Sequence, residues 1–255
     1  MKRGLGIFLG LALVAPVLVG AARADEPDMR VDARVVLHAY RAIVEDEIAD
    51  IVTGLRTLAQ TEEARSASWD RAAGPLSAFA KMVPGRNVFL FLPDGAYYIV
   101  GTGLQQRKVD DRPYFKQLFA GHVVKGELVV SRSSGKKISV IGVPVESDGK
   151  VVAAVGASID LEAFSNEIDR HLQLPANMVF FALDGHGRVA LSRTANYILE
   201  LSAKLGSDTL AAATADMLAK PEGQVRYRLE NAERTVVFEK SREVPWVFAL
   251  GVVGP

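Results

Sequence analysis

The chain has no cysteine among its 255 residues. Disulfides, thiolate metal sites and thiol catalysis are therefore excluded. Net charge is also lacking, because thirty Lys and Arg offset thirty Asp and Glu. A neutral chain has no general field to gather nucleic acid or anionic lipid, so neither is an expected partner. Histidine is scarce, and His38, His122, His171 and His186 stand at no metal-ligand spacing, so no metal is expected. The stretch SRSSGKK at 131–137 superficially suggests a phosphate loop but lacks the first glycine and the hydroxyl residue after the lysine. There is no GxSxG elbow and no nucleophile–base pair. Nothing here calls for an enzyme or a cofactor.

Long apolar runs are limited to one. Lys2 and Arg3 precede an apolar stretch over 4–21, broken only by Pro16, and Ala22-Arg23-Ala24 follows with the small-x-small pattern of a cleavage site. This reads as a secretory signal peptide, residues 1–24, cut after Ala24. The rival is an uncleaved inner-membrane anchor, since ~18 apolar residues is the lower edge of a spanning helix. The proline and the small residues near the end favour cleavage. The mature chain is expected to be soluble and exported, and periplasmic in a bacterium. Hydrophobic residues at 49% and charged residues at 24% are ordinary for a folded globular protein.

The spacing predicts a long helix over 31–61, in which Leu37, Tyr40, Val44, Ile48, Ile51, Leu55 and Leu58 form one apolar stripe. Such a stripe packs along its own domain. Leu37, Val44, Ile51 and Leu58 are also spaced by sevens, which would suit a homodimer seam. A shorter helix over 69–82, interrupted at Gly74-Pro75, comes next. Strands are expected at 87–92, 97–101, 127–131, 137–144 and 150–158, with helices at 113–120 and from Asp160 to about 172. VFFALDG at 179–185 echoes VFLFLPDG at 88–95, an apolar strand ended each time by an Asp-Gly turn, and marks a structural repeat. Helices near 197–205 and 208–219 and strands at 224–229, 235–241 and 246–252 complete the second unit. Helices inserted between antiparallel hairpins make this an α+β pattern.

The segment 110–160 is the most informative. It opens with DDRPYFKQLFAG, where a Pro-started helix carries Arg112, Tyr114 and Phe115. It continues through SRSSGKKISVIGVPVESDGK to VVAAVGASIDL, two apolar strands joined at Asp148-Gly149 and ending at Asp160. An arginine and a carboxylate at the ends of neighbouring elements can grip opposite ends of a small zwitterion. With the long N-terminal helix and a final VPWVFALGV strand, this order resembles the double Cache (PAS-like) extracellular sensor domains over nearly all of the mature chain.

That resemblance implies two tandem PAS-like modules with antiparallel sheets after the helix. Residues 25–82 form the helical region, 83–174 a membrane-distal, ligand-binding module, and 175–255 a smaller membrane-proximal one. Members that bind amino acids typically show a tyrosine five residues before an arginine, a Trp-Tyr pair after it, and an aspartate ending the last strand. Arg112 stands at the arginine, Tyr114 at the tryptophan, Phe115 at the following tyrosine and Asp160 at the aspartate. Arg107 occupies the tyrosine position, a departure that keeps the charge pair and loses a phenol.

Each of these residues also has a structural reading. Arg112 could pair with Asp110 or Asp111, Asp160 is a natural helix N-cap, and Tyr114 and Phe115 could be core. Of Tyr97 and Tyr98 only one can face inward, and Tyr98 is the choice made here. Arg107 and Arg132, if they face the cavity, make it cationic. The expected function is a sensor module, active in signal transduction of a chemotaxis-like kind, that binds an amino acid or a related amine or carboxylate metabolite. No second membrane helix and no kinase, cyclase or methyl-accepting segment is seen, so a separate membrane signalling partner is expected. The alternative is a structural or interaction protein with no ligand, dimerising through its N-terminal helix.

Overall fold

The computed structural model describes residues 32–254, which form one compact unit; the signal-peptide reading lies outside the described residues. Helix α1, Ala33–Ala59, starts where the Asp32 side chain accepts the Arg34 N–H at 2.8 Å. Its 27 residues span about 40 Å. Every residue of the predicted stripe is buried, at 9% exposure or less. Among the described residues no helix is long and apolar enough to cross a membrane.

The heptad reading of that stripe is overturned. Leu37, Val44, Ile51 and Leu58 all belong to the chain's own core, against residues of both sheets, so no apolar seam of sevens is left for a second copy. Two short helices follow, α2 (Glu62–Arg65) and α3 (Trp69–Met82). The expected break at Gly74-Pro75 does not occur. Pro75 lies inside α3, which stays continuous because Leu76 and Phe79 are buried beyond it and exposed Arg71, whose carbonyl loses its N–H partner, faces water.

The first sheet comprises β1 (Asn87–Phe91), β2 (Tyr97–Ile99), β3 (Gly103–Leu104), β4 (Val124–Val130), β5 (Lys137–Ser147) and β6 (Lys150–Asp160), with α4 (Pro113–Phe119) inserted before β4. Its order is β3-β2-β1-β6-β5-β4, antiparallel throughout. Helix α5 (Leu161–Leu172) leads to the second sheet, made of β7 (Met178–Asp184), β8 (Val189–Ser192), β9 (Glu222–Leu229), β10 (Ala232–Lys240) and β11 (Trp246–Val253), with α6 (Asp208–Ala219) before β9. That order is β8-β7-β11-β10-β9. The two sheets therefore share one plan, in which the first strand lies beside the last. The VFLFLPDG and VFFALDG echo falls on β1 and β7, which hold the same place in each. The helix expected near 197–205 is instead two 3-10 turns, Ala195–Tyr197 and Ser202–Lys204, separated by Leu199 at φ 69, which no α-helix accommodates.

Strand alternation gives each sheet two buried faces. The inner faces pack on α1 through Leu90, Ile141 and Val155 in one sheet and Phe180, Phe248 and Leu250 in the other. The outer face of the first sheet carries Phe89, Phe91, Tyr97, Ile138 and Val140 under α4. The outer face of the second carries Leu183, Tyr227, Val236 and Phe238 beside α6.

Candidate ligand site

Arg112 is the N-cap of α4, with Pro113 at the first helical position. The chain is brought there by a turn at Val109, which is buried and donates to the Gly95 carbonyl at 3.0 Å, while the Arg112 N–H bonds the Val109 carbonyl at 3.0 Å. The guanidinium then reaches the end of β4 and donates to the Val130 carbonyl at 3.1 Å. Two residues on, Tyr114 is 5% exposed, with its ring 5.9 Å from that of Phe91. Burial pushes its phenol up to about 12, opposed by Arg112, so the hydroxyl stays neutral at physiological pH.

Arg132, in the loop between β4 and β5, faces the same space. It donates to the Lys108 carbonyl and to Asp111 Oδ2. The Arg132 hydrogen bond holds the Asp111 carboxyl below the usual carboxylate range. Arg112, Tyr114, Arg132, Phe91, Tyr97 and Ile138 all line one cavity of about 20 Å³. That is room for about one water, since a single molecule needs ~10–15 Å³. A wider cleft of about 340 Å³ shares Tyr97, Arg132 and Ser133 with it and is also lined by exposed Arg107. Three of the expected residues thus meet in the cavity, and a fourth stands at its mouth.

The other three do not. Asp160 caps α5, accepting the Ala163 N–H at 3.1 Å and the Lys136 ammonium at 2.7 Å, and it lines a separate cleft with Lys136 and Lys137. Burial raises its pKa, but the bonds from Lys136 and Ala163 outweigh that and hold the carboxyl low. Its strand partner is Ile138, a wall of the Arg112 cavity, so Asp160 sits on the right face of the sheet with its charge turned towards the helix amides. Tyr98 points the opposite way from the cavity. Its ring stacks on Trp69 with centroids 5.0 Å apart and planes at 9°, while Tyr97 takes the outer face. Phe115, one residue past Tyr114, is turned about 100° around α4 and packs 4.4 Å from Phe119 in the outer core.

Sequence reasoning passed over Tyr97 and the role of Asp111. The strand period admits either tyrosine, and only the register Phe91↔Tyr97 decides between them. Asp111 was visible only as a neighbour of Arg112, whereas its partner is Arg132. Ser158, buried without a hydrogen-bond partner beside Val140 on the outer face, gave no signal at all.

No protein-family model matches the sequence, and no curated protein matches it. Solved structures do. The ligand-binding domain of the Pseudomonas aeruginosa amino acid chemoreceptor PctB, in complex with L-Arg, superposes with a TM-score of 0.69 at 15% identity, covering 86% of this chain and 93% of that one. The extracellular domain of the putative histidine kinase rpHK1S-Z16 gives 0.69 at 19% identity, over 87% and 93%. The ligand-binding domain of the Campylobacter jejuni chemoreceptor Tlp3, in complex with 4-methylisoleucine, gives 0.63 at 13% identity, over 87% and 89%. The chain has the double Cache fold. In this double Cache fold the Arg112 cavity belongs to the first sheet, and it is on the face away from α1.

Proposed function

We propose that this double Cache chain is an exported, periplasmic sensor domain that binds an amino acid or a related small carboxylate in the Arg112 cavity and acts through a separate partner. The observation that carries the reading is the convergence of two guanidinium groups and a neutral buried phenol on one small cavity. An arginine fork matches a carboxylate through paired hydrogen bonds, and the phenol adds a polar tip on rigid apolar surface. The similar domains solved in complex with L-Arg and with 4-methylisoleucine agree with a small-molecule role.

Room for the ligand must come from the mouth. The Arg132–Asp111 pair closes it, and Asp111 is 62% exposed at its side chain. Exposed pairs of this kind are weak, so opening the loop costs little beside the −8 kcal/mol or so of a micromolar complex. A ligand carboxylate then replaces Asp111 on Arg132, and the freed Asp111 carboxylate is at hand for an ammonium group. Asp160 remains a helix cap one strand-neighbour behind the wall.

Calorimetry of the full chain against amino acids, small amines and small carboxylates tests this. Each charged hydrogen bond is worth ~1.5–3 kcal/mol, so Arg112→Ala is expected to weaken binding by ~10–100-fold. No binding by the wild type, or unchanged binding in both Arg112→Ala and Arg132→Ala, overturns the assignment.

A further inference from the structure

The second sheet has a cavity of its own, and its chemistry is not that of the first. It lies on the outer face between the sheet and α6, about 30 Å³ in volume, with Val189, Leu205 and Leu210 among its apolar walls. Two arginines line it. Arg193 is fully spent on structure: it donates to the Pro175, Met178 and Leu174 carbonyls and pairs with Asp169. Arg234 differs. Its side chain is 11% exposed, yet its Nε–H is buried with no hydrogen-bond partner. A buried cationic donor left unpaired is costly, and folded proteins rarely keep one without an acceptor to receive it.

The surroundings of Arg234 indicate what that acceptor is. Tyr227 is its cross-strand partner, 3% exposed on the same face. At the mouth, the Glu230 carboxylate bridges the Tyr197 hydroxyl and one Arg234 amino group, the latter at 3.4 Å. Glu230 stands in the β9–β10 turn at φ 52, with its side chain 64% exposed. The protein's own carboxylate thus holds one amino group of the guanidinium loosely and the tyrosine hydroxyls lie beside it, while the buried Nε–H has no partner.

We propose that this cavity is a second binding site, for a small monocarboxylate with a short apolar tail. The carboxylate takes Arg234 through Nε and the amino group now shared with Glu230, with the Tyr227 phenol alongside, and the tail enters the aliphatic wall. One serviceable arginine selects one carboxylate, and the small volume limits the tail to a few carbons. Widening falls to Leu205, half-buried beside Gly206 at φ 128, where the chain between the Ser202–Lys204 turn and α6 can swing.

The test uses propionate, with propylamine and succinate as controls, titrated by calorimetry into the full chain and four variants. Propionate is expected to bind the wild type and Arg112→Ala equally, to bind Glu230→Gln about threefold tighter because a weak exposed competitor is gone, and to lose at least about tenfold in Arg234→Lys and Arg234→Gln. Melting temperatures of the Arg234 variants confirm that they fold, and methyl chemical shifts of Val189, Leu205 and Leu210 locate the ligand independently. Absence of propionate binding in both wild type and Glu230→Gln overturns the proposal, as does binding abolished by Arg112→Ala but kept in Arg234→Lys. The first of these leaves the Arg112 site to be judged on its amino-acid titrations, because propionate lacks the ammonium group for which Asp111 is freed there.

Discussion

Two carboxylates in the first module lie close to arginine chemistry and do different work. Asp111 is exposed and bound to Arg132, so in the proposed site it competes with a ligand carboxylate for that guanidinium. Asp111→Asn is therefore expected to tighten binding of a small carboxylate that carries no amine, by up to about fivefold, and to forfeit that gain for an amino acid, whose ammonium group loses its partner, with the melting temperature unchanged; titration calorimetry and a thermal scan decide it. Asp160 is the reverse case. Its loss in Asp160→Ala should cost about 0.5–2 kcal/mol of stability through the cap, with ligand affinity unaltered. Its pH dependence follows from the depressed folded-state pKa. The stabilising contribution is in full force above the unfolded-chain value of ~3.9, and is lost as pH falls through the lower folded value. Asp160→Asn keeps a cap acceptor and removes the titration and the Lys136 ion pair, so its acid unfolding limb should be flatter than the wild type's and its stability at neutral pH should fall between those of the wild type and Asp160→Ala. An acid limb as steep as the wild type's would mean that the carboxylate does not carry this term.

At the scale of elements, α1 holds the molecule together. Its stripe supplies one side of a core shared by both inner sheet faces. Truncating a central member, as in Ile51→Ala, is expected to cost ~2–5 kcal/mol. Because Ile51 is fully buried in that common core, both sheets should lose stability in one cooperative transition followed by circular dichroism and by tryptophan fluorescence. Two separated transitions would show that the sheets are independent. The same elements show what a sequence can reveal. A 27-residue helix with a regular stripe repeats its signal many times, so α1 was legible, as was the hairpin at Asp148 and Gly149, whose φ values of 50 and 72 an Asp-Gly pair adopts readily. The four-residue β8, buried at every position, and the two-residue β3 carry no period to read. Whether the stripe served a second copy or the chain's own sheets was not written in its spacing, since threes and fours include sevens. That Arg112 and Tyr114 share one short helix was legible because Pro113 starts it and Gly121 ends it, whereas the direction of Arg132, in the loop after β4, was not. Asp160 could not be placed, because cap and ligand group look identical until the Lys136 partner is seen.

For the whole molecule, the issue is how occupancy of one sheet reaches the other. Strand β4 is the meeting point. Its Val130 carbonyl receives Arg112, and two residues away the Leu128 carbonyl receives Arg188, which is held at 2.7 Å by buried Asp184 at the end of β7. Trp246 on β11 donates to the Gly126 carbonyl at 3.2 Å, where Gly126 at φ 94 forms a bulge that a Cβ would press to 3.1 Å from the indole. Lys137, at the start of β5, bonds the Ile198 carbonyl at 2.6 Å, next to the 3-10 turn that carries Tyr197. The Arg188 and Lys137 links join β4 and β5, which line the first cavity, to residues next to Val189 and Tyr197 of the second, and the Trp246 link ties β4 to β11. If a ligand in the first cavity shifts β4 and β5, the Lys137 bond to the Ile198 carbonyl passes the shift to the turn that carries Tyr197, whose hydroxyl shares Glu230 with Arg234. Linkage then requires reciprocity: propionate must alter amino-acid affinity by the same factor as the amino acid alters propionate affinity, and couplings of this kind are typically ~5–150-fold. Arg188→Lys keeps a cation near Asp184 but loses the fork that spans to β4, so it should bring both factors towards one while leaving each isolated affinity close to wild type. Paired titrations, each ligand with and without the other saturating, measure the factors directly. Unequal factors at equilibrium would be thermodynamically inconsistent with two sites on one folded chain, and equal factors unmoved by Arg188→Lys would place the coupling outside β4.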